Sequence, residues 1–245
     1  MNKRIKLFAS PLTFVLLTAV SFGIATRAED NPSTIAVRGV VHFKGTPPPP
    51  KKIQTTADPQ CMANRKGPLF SDEVVVGENG GLANVFVYVK SGLEGKTYPV
   101  SADKVSLQQK GCTYSPHVIG VQVNQKIEIV NSDPTMHNIN ARPKTNKGFN
   151  FAQPVQGMKS IKTFSEPEIM IPLKCDIHPW MHSFVNVVTH PFFSVSDAKG
   201  QFEINSLPPG TYQIEAVHES LGSLAQSVTV KPGVTATLTF TFPKP

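Results

Sequence analysis

Proline and glycine interrupt this chain throughout, and this feature constrains its fold more than any other. The 245 residues include 22 prolines and 17 glycines, and the apolar residues between them form short alternating runs. Such runs are typical of strands bounded by turns, and no apolar stripe of helical period extends over a useful length. The sequence therefore predicts an all-β fold. The predicted strands cover residues 35–43, 84–90, 118–123, 126–131, 168–175, 184–189, 201–205, 211–217, 226–230 and 235–242, and residues 140–165 are predicted to form a long loop with short strand fragments.

The first 28 residues have the composition of an export signal. Basic residues occupy three of the first six positions, a mostly apolar run extends from Leu7 to Ile24, and small residues lead to Ala28. This order predicts a secretory signal peptide over residues 1–28, and therefore an exported protein that is periplasmic, cell-surface or secreted. Retention of the segment as an N-terminal anchor is the alternative. After cleavage no membrane span is expected, because no other stretch approaches the roughly 20 apolar residues that cross a bilayer.

Most of the positive charge belongs to this segment. The formal net charge is +7 for the whole chain, and removal of residues 1–28 takes away four basic residues and no acid, which leaves +3. A charge this small gives little support for a nucleic-acid partner, and none is expected. The roughly 217 residues that remain suffice for one large β domain or two small ones.

Three cysteines follow the signal, at Cys61, Cys112 and Cys175. In an oxidising compartment a pair of cysteines is expected to form a disulfide, which leaves one odd thiol. Cys175 lies among histidine and methionine residues, so we assign it as the odd thiol and predict a Cys61–Cys112 disulfide. The alternative is that Cys61 and Cys112 are both buried thiols.

The segment 168–181 places a thiol, an imidazole and a thioether close together. Its apolar residues alternate with a period of two up to Cys175, so a strand should direct this thiol inward at its end. The turn that follows carries His178 and Met181. A soft thiolate and thioether favour Cu(I), and imidazole binds both oxidation states, so this set predicts a copper site with a further imidazole from another strand. The best candidate is His137, which follows another alternating strand.

The two ligand-bearing segments resemble those of cupredoxins, the small blue-copper proteins. Residues 131–138 read NSDPTMHN and residues 175–181 read CDIHPWM, and the second loop is most similar to that of amicyanin. The resemblance covers approximately residues 105–189 and implies a Greek-key β-sandwich with one type 1 copper. It implies the following ligands: His137, Cys175 and His178 in the equatorial plane and Met181 on the axis. The chain also resembles bacterial exported proteins described as methylamine-utilisation-like or plastocyanin-like, which share the motif GCTYSPHV found here at residues 111–118.

Several neighbouring residues have alternative roles. Met181 could be a core methionine with His182 in the fourth position, and a site of histidines and one cysteine would also accept zinc. His117, His182 and Asn138 are candidates for metal binding or for contacts to the ligands, although a structural role at the entry to a strand is favoured for His117. The remaining alternative is a core that holds no metal.

Segments at the two ends of the chain resemble the carboxypeptidase-regulatory-like β-sandwich, which has a transthyretin- or Ig-like architecture. The motifs that carry this resemblance are RGVVH at 38–42, LANVFVY at 82–88, SDAKGQF at 196–202 and LPPGTY at 207–212. In that family the second strand leads to the D-x-x-G-x-F hairpin through a short connection, whereas about 105 residues intervene here. We therefore predict that the copper domain is inserted in the sandwich, and a tandem arrangement is the alternative. The predicted domains are residues 33–92 and 191–243 for the sandwich and residues 105–189 for the copper domain.

These resemblances imply a type 1 copper protein that carries single electrons between redox partners. The expected partner is a redox protein such as a cytochrome or an oxidoreductase, reached through a partly exposed ring edge of His178. Enzyme activity is not expected, because neither a nucleophile with a base nor a pair of carboxylates occurs in a recognisable motif. The alternatives are a copper-binding or delivery protein without a redox partner, and a carbohydrate-binding-like module. For the latter, Phe192, Phe193 and Tyr212 are the candidate aromatic residues, and they are expected to be buried.

Overall fold

The computed structural model describes residues 35–244, apart from residues 56, 57, 64 and 66. The predicted signal peptide over residues 1–28 lies outside the described residues. Within the described part of the chain, no helix is long and apolar enough to cross a membrane.

Almost all regular structure in this region is β. A short helix, α1 (Pro59–Ala63), and a 3-10 turn, Glu78–Gly80, interrupt the series of strands. The strands in chain order are β1 (Ile35–Lys44), β2 (Phe86–Ser91), β3 (Val105–Gln109), β4 (Tyr114–Ser115), β5 (Val118–Gln122), β6 (Ile127–Asn131), β7 (His137–Ala141), β8 (Phe149–Gln153), β9 (Lys159–Lys162), β10 (Glu168–Lys174), β11 (His182–Val188), β12 (Phe193–Val195), β13 (Gln201–Asn205), β14 (Gly210–His218), β15 (Gly222–Val230) and β16 (Ala236–Pro243).

The strands of the described region form two β-sandwiches, each made of two sheets. In the first sandwich, the sheet β13-β1-β16 packs against the sheet β12-β2-β14-β15. In the second sandwich, the sheet β5-β11-β10-β7-β8 packs against the sheet β4-β3-β6-β9. The strands of the second sandwich all lie between β2 and β12 in the chain, and β2 pairs with β12 and β14. The first sandwich is therefore discontinuous in sequence.

Each sandwich has its own core, built from strands whose side chains alternate between core and solvent. In β13 the inward residues are Phe202 and Ile204, and in β16 they are Leu238, Phe240 and Phe242. Burial of one large apolar side chain contributes roughly 1.5–3 kcal/mol relative to exposure. A shift of register by one residue would expose a whole face, so the alternation determines how each strand is placed. The core of the second sandwich includes Leu107, Ile129, Ile139, Ile171, Leu173, Cys175, Met181 and Val185.

The connection between β12 and β13 is a tight turn that accounts for the D-x-x-G pattern. The Asp197 side chain accepts hydrogen bonds from the N–H groups of Lys199 and Gln201, both at 2.8 Å. Gly200 has a φ of +75°, and a Cβ atom there would lie 2.2 Å from the carbonyl oxygen of Val41. Glycine is required because it tolerates this backbone conformation and has no side chain to clash.

The two sandwiches meet at a third, smaller apolar cluster. Phe86 of β2, Val118 of β5 and Val188 of β11 are buried together there. Gly120 of β5 permits close packing, because a Cβ atom at this position would lie 2.6 Å from ring carbons of both Phe86 and Phe193. The packing of the two sandwiches therefore requires a residue without a side chain at position 120.

The region predicted as a long loop, residues 140–165, is more regular than expected, because it contains β8, β9 and the end of β7. In β8 and β9 most side chains are exposed or half-buried. Such strands carry polar residues on both faces, so their hydrophobic alternation is too weak to predict them. The strands β3, β4, β7 and β12 are also absent from the predicted set.

Candidate functional site

The loop between β10 and β11 carries three of the four predicted copper ligands. The buried residues of β10 alternate up to Leu173, and the next inward position is the buried Cys175. The Met181 N–H donates to the His178 carbonyl at 2.8 Å, and the Cys175 N–H donates to the Met181 carbonyl at 3.1 Å. The loop thus holds its three candidate ligands through hydrogen bonds of its own backbone. Cys175 and Met181 are both buried in the core of the second sandwich.

The fourth predicted ligand, His137, lies at the start of β7, which pairs with β10. The rings of His137 and His178 turn their Nδ1 atoms towards each other at 3.0 Å, and Cys175 Sγ lies 3.7 Å from His178 Nδ1. One donor atom from each of these residues lies within 4.8 Å of the other two. The fold therefore brings a thiol and two imidazoles together next to the core that contains Met181.

A carboxylate holds each of these histidines from the far side of its ring. His137 Nε2 donates to Asp133 Oδ2 at 2.9 Å, and His178 Nε2 donates to Asp58 Oδ2 at 2.8 Å. When Nε2 carries the donated proton, a neutral ring presents a lone pair at Nδ1. Two such lone pairs 3.0 Å apart repel unless a cation, either a proton or a metal ion, lies between them. A carboxylate that orients a histidine in this way is typical of metal sites.

The charges around the centre favour a thiolate. Burial disfavours the charged form, but hydrogen bonds with His137 and His178 outweigh it and lower the pKa of Cys175 to about 6. Burial also opposes protonation of His137, yet its hydrogen bonds to Asp133 and Cys175 raise the pKa of this imidazole. Both shifts favour a thiolate beside a protonated imidazole when no metal is bound. A metal ion that replaces this proton finds a sulfur ligand that is already ionised.

Asn138, a predicted candidate for contacts to the ligands, links the two ligand-bearing segments. Its side-chain oxygen accepts a hydrogen bond from the Asp176 N–H, and its side-chain nitrogen donates to Asp176 Oδ2 at 2.9 Å. Its backbone N–H helps to lower the pKa of the Cys175 thiol. The Tyr114 hydroxyl donates to the carbonyl oxygen of Asn138 at 2.7 Å. Asn138 thus holds the thiol-bearing turn against β7.

The GCTYSPHV motif supports the same centre through Asp133. Asp133 Oδ1 accepts a hydrogen bond from the Gly111 N–H at 2.7 Å, and Oδ2 accepts one from the Cys112 N–H at 2.8 Å. The structure joins Cys61 to Cys112 in the predicted disulfide and leaves Cys175 as a buried free thiol. The carboxylate that orients His137 is therefore held by the loop that carries the disulfide.

His178 is much less accessible than the sequence suggested. Its side chain is 1% exposed, because Asp58 covers Nε2 at 2.8 Å and the Trp180 ring packs beside it with centroids 5.3 Å apart. The prediction of a partly exposed ring edge is therefore wrong. The physical reason is the segment that contains Asp58 and α1, which the Cys61–Cys112 disulfide ties to the second sandwich.

His117 and His182, predicted as candidates for metal binding, lie in a second cluster with Asp72 and Glu219. Side chains alternate along an extended chain, so His182 points to the opposite side from its neighbour Met181. His117 Nε2 donates to Glu219 Oε1 at 2.7 Å, and His182 Nε2 lies 3.6 Å from Asp72 Oδ1. Burial opposes the charged form of His117, but its contacts with Asp72 and Glu219 raise its pKa to about 9.

Sequence reasoning missed the acidic residues that face the histidines. The sequence did contain a signal for Asp133, because this residue lies four positions before His137 in the segment NSDPTMHN. Asp58 is 120 residues from His178, and Glu219 is 102 residues from His117. No local pattern connects residues so far apart. The missed residues are Asp58, Asp72, Asp133 and Glu219.

Comparisons with known proteins give one family match and several structural neighbours. The family model of the carboxypeptidase regulatory-like domain matches residues 185–243. No curated protein matches the sequence. The structural neighbours include a copper-containing nitrite reductase from Thermus scotoductus, which is 22% identical with a TM-score of 0.31, over 41% of this chain and 25% of that chain. They also include the purple cupredoxin from Nitrosopumilus maritimus, which is 22% identical with a TM-score of 0.30, over 34% of this chain and 98% of that chain.

Amicyanin from Paracoccus versutus is a further structural neighbour, 20% identical with a TM-score of 0.30, over 41% of this chain and 96% of that chain. The match thus spans a quarter of the reductase and nearly the whole of the two smaller proteins. The chain matches the carboxypeptidase regulatory-like domain over its C-terminal part and has cupredoxins among its structural neighbours.

Proposed function

We propose that this protein is an exported type 1 copper protein that carries single electrons between redox partners. The proposal rests on the two Nδ1 atoms of His137 and His178, which face each other at 3.0 Å beside the Cys175 sulfur. Two imidazoles and a thiolate form the equatorial set of a blue-copper site, and a thioether is its usual weak axial ligand. Met181, buried in the adjoining core, supplies that thioether.

The residues around this centre fit a bound copper ion. Copper held there would supply a one-electron couple between Cu(II) and Cu(I). Asp133 and Asp58 hold the Nε2 protons, so both imidazoles present Nδ1 to the centre. Cys175 offers a thiolate at neutral pH, since its pKa is about 6. Backbone hydrogen bonds hold the loop in one conformation, which limits rearrangement between the two oxidation states.

Burial of the centre supports electron transfer rather than catalysis. His137, Cys175 and His178 are each no more than 2% exposed. A substrate therefore has no access to the centre, whereas an electron can pass through the protein around it. We accordingly propose that the chain is not an enzyme.

The redox partner, such as a cytochrome or an oxidoreductase, would approach over the segment that covers His178. Asp58, the residue bonded to His178, has a side chain that is 20% exposed. Ile177 and Met136 each adjoin a candidate histidine ligand in the chain, and both are exposed apolar residues. A small apolar contact beside a carboxylate fits a transient partner that binds and leaves rapidly.

Export is part of the same proposal. A Cys61–Cys112 disulfide is expected to persist in an oxidising compartment and is rare in the cytosol. The predicted signal peptide over residues 1–28 would direct the chain there, to the periplasm, the cell surface or the medium.

The burial of His178 favours one second candidate, a copper-binding or delivery protein without a redox partner, because the cover lengthens any electron path through this ring. The carbohydrate-binding-like alternative has less support. Phe192 and Tyr212 are buried and Phe193 is half-buried, so these rings form no exposed platform for a sugar.

The test is the absorption spectrum of the oxidised, copper-loaded protein. We expect an intense visible band from charge transfer between the Cys175 thiolate and Cu(II). Cys175→Ser should lose the band and keep the far-UV circular dichroism of the folded protein, and the control His42→Gln should keep both. A wild-type protein that binds Cu(II) without the band, or a Cys175→Ser protein that retains it, would contradict the proposal. Slow oxidation and reduction combined with rapid transfer of Cu(I) to a chelator would favour delivery instead.

A further inference from the structure

His117 has an arrangement that a hydrogen-bonded structural histidine does not need. Its Nε2 donates to Glu219 Oε1 at 2.7 Å, so a metal ion that displaces the second ring proton would meet a lone pair on Nδ1. Nδ1 lies 3.1 Å from Asp72 Oδ2, outside hydrogen-bond geometry, and is a buried atom without a hydrogen-bond partner. Buried polar atoms are normally paired, so one that faces a carboxylate without a hydrogen bond indicates a position for a cation, either a proton on the ring or a metal ion between the two groups.

His182 is oriented towards the same point. Its Nδ1 donates to the Trp180 carbonyl oxygen at 3.0 Å, which fixes the tautomer and leaves the Nε2 lone pair free. That Nε2 lies 3.6 Å from Asp72 Oδ1 and 3.8 Å from Glu219 Oε2. A backbone carbonyl that accepts the second ring proton is the usual partner of a histidine that binds a metal.

The carboxylate Asp72 completes a set of three donors. One atom from each of Asp72, His117 and His182 lies within 4.8 Å of the other two. The side chain of His117 is 6% exposed, while those of His182 and Asp72 are 23% and 37% exposed, so an ion can enter from the solvent side. Two imidazoles and a carboxylate match zinc, which takes nitrogen and oxygen ligands in a tetrahedral arrangement.

We propose that Asp72, His117 and His182 form a second metal site for a divalent transition ion, Zn²⁺, and that Glu219 orients His117. This site is separate from the copper centre, because Met181 and His182 diverge at the start of β11. It also joins distant parts of the chain. Asp72 belongs to the segment that follows α1, His117 and His182 belong to the second sandwich, and Glu219 belongs to the connection between β14 and β15 of the first sandwich. The ion would therefore hold the Asp72 segment against the second sandwich, and Glu219 of the first sandwich would contact the site through His117.

The test is a calorimetric titration of the mature protein with Zn²⁺ after one equivalent of copper has been bound, so that the copper centre is already occupied. The wild-type protein should bind one zinc per chain. Asp72→Asn and His182→Gln should each weaken zinc binding at least tenfold and leave the copper absorption unchanged. The matched controls are His42→Gln and Asp103→Asn, which make the same two replacements outside the cluster and should bind zinc as the wild type does. Melting curves without zinc establish that each variant is folded.

The possible outcomes distinguish a failure of the zinc proposal from a failure of the copper proposal. Zinc binding that is absent in the copper-loaded wild type, or equal in the wild type and the two variants, would overturn the second site. If the protein binds no copper, the same comparison is made on the metal-free chain. Loss of one zinc equivalent in Asp72→Asn and His182→Gln would then still support the second site, although the copper proposal had failed.

Discussion

Replacement of Asp133 by asparagine tests whether the buried carboxylates prepare the histidines for copper. Asp133 accepts three hydrogen bonds, from the N–H groups of Gly111 and Cys112 and from His137 Nε2. Gly111 donates to Oδ1, whereas Cys112 and His137 both donate to Oδ2. Asparagine has the same shape but only one accepting oxygen, so the variant cannot satisfy all three donors.

The loss of stability in Asp133→Asn depends on which of the three donors loses its acceptor. With the amide nitrogen in the Oδ1 position, only the Gly111 N–H is left unsatisfied, whereas the opposite orientation leaves two donors unsatisfied. The first orientation is therefore preferred, and because the Gly111 N–H is only partly buried, the loss of its acceptor should lower the free energy of unfolding by about 1 kcal/mol. The His137 bond persists but loses the assistance of a full charge, which roughly halves its strength. We therefore expect copper affinity to fall by about 10–100-fold, as for other residues that orient metal ligands.

The assays are chemical denaturation of the metal-free protein and competition for copper against a chelator of known affinity. Asp103→Asn is the matched control, because Asp103 is exposed, and it should change neither quantity. Asp58→Asn is a second comparison. Its side chain is 20% exposed against 5% for Asp133, so water can replace part of the lost interaction and the effect on copper affinity should be smaller. Wild-type copper affinity and stability in Asp133→Asn would show that this carboxylate does not orient His137 for the metal.

Three further predictions concern the thiols, the axial position and the junction of the sandwiches. Denatured, metal-free protein should react with a thiol reagent at one cysteine before reduction and at all 3 afterwards, as the disulfide requires, and three free thiols at the outset would reject it. Met181→Gln should lower the reduction potential and alter the copper spectrum, because a weak thioether stabilises Cu(I). His182→Ala should change the potential and the spectrum little. The reverse pattern would assign the axial position to His182. Gly120→Ala should lower the free energy of unfolding by about 1–3 kcal/mol, because the new Cβ atom would lie 2.6 Å from the rings of Phe86 and Phe193. An unchanged denaturation midpoint would show that the junction of the sandwiches can adjust to the added methyl group.

The covering segment changes how a type 1 copper centre in this chain would exchange electrons. The sequence suggested direct contact with a partner through His178, but Asp58 and Trp180 enclose that ring. An electron would then cross the covering segment, and the rate of exchange would depend on how the disulfide holds that segment in place. Reduction of the Cys61–Cys112 disulfide is therefore expected to accelerate exchange and to weaken copper retention together.

Features that depend on neighbours in the chain could be predicted before the structure was known. Alternating apolar residues indicated the inward face of β10 and hence the inward Cys175, because side chains of a strand alternate with a period of two. The candidate donors Cys175, His178 and Met181 could be grouped because one short turn carries them. The turn after β12 could be anticipated from Asp197 and Gly200, since both requirements are local.

The tertiary structure alone decided what surrounds those donors. Asp58 and Glu219 reach their histidines across more than 100 residues, and such contacts leave no periodicity or spacing in the sequence. The cover over His178 depends on where a disulfide places a segment that has almost no regular structure. His182 was a candidate for the first site on grounds of sequence, but alternation at the start of β11 and two distant carboxylates direct it to another cluster. Local rules set the direction of a side chain, whereas the partner that it meets depends on how distant strands pack.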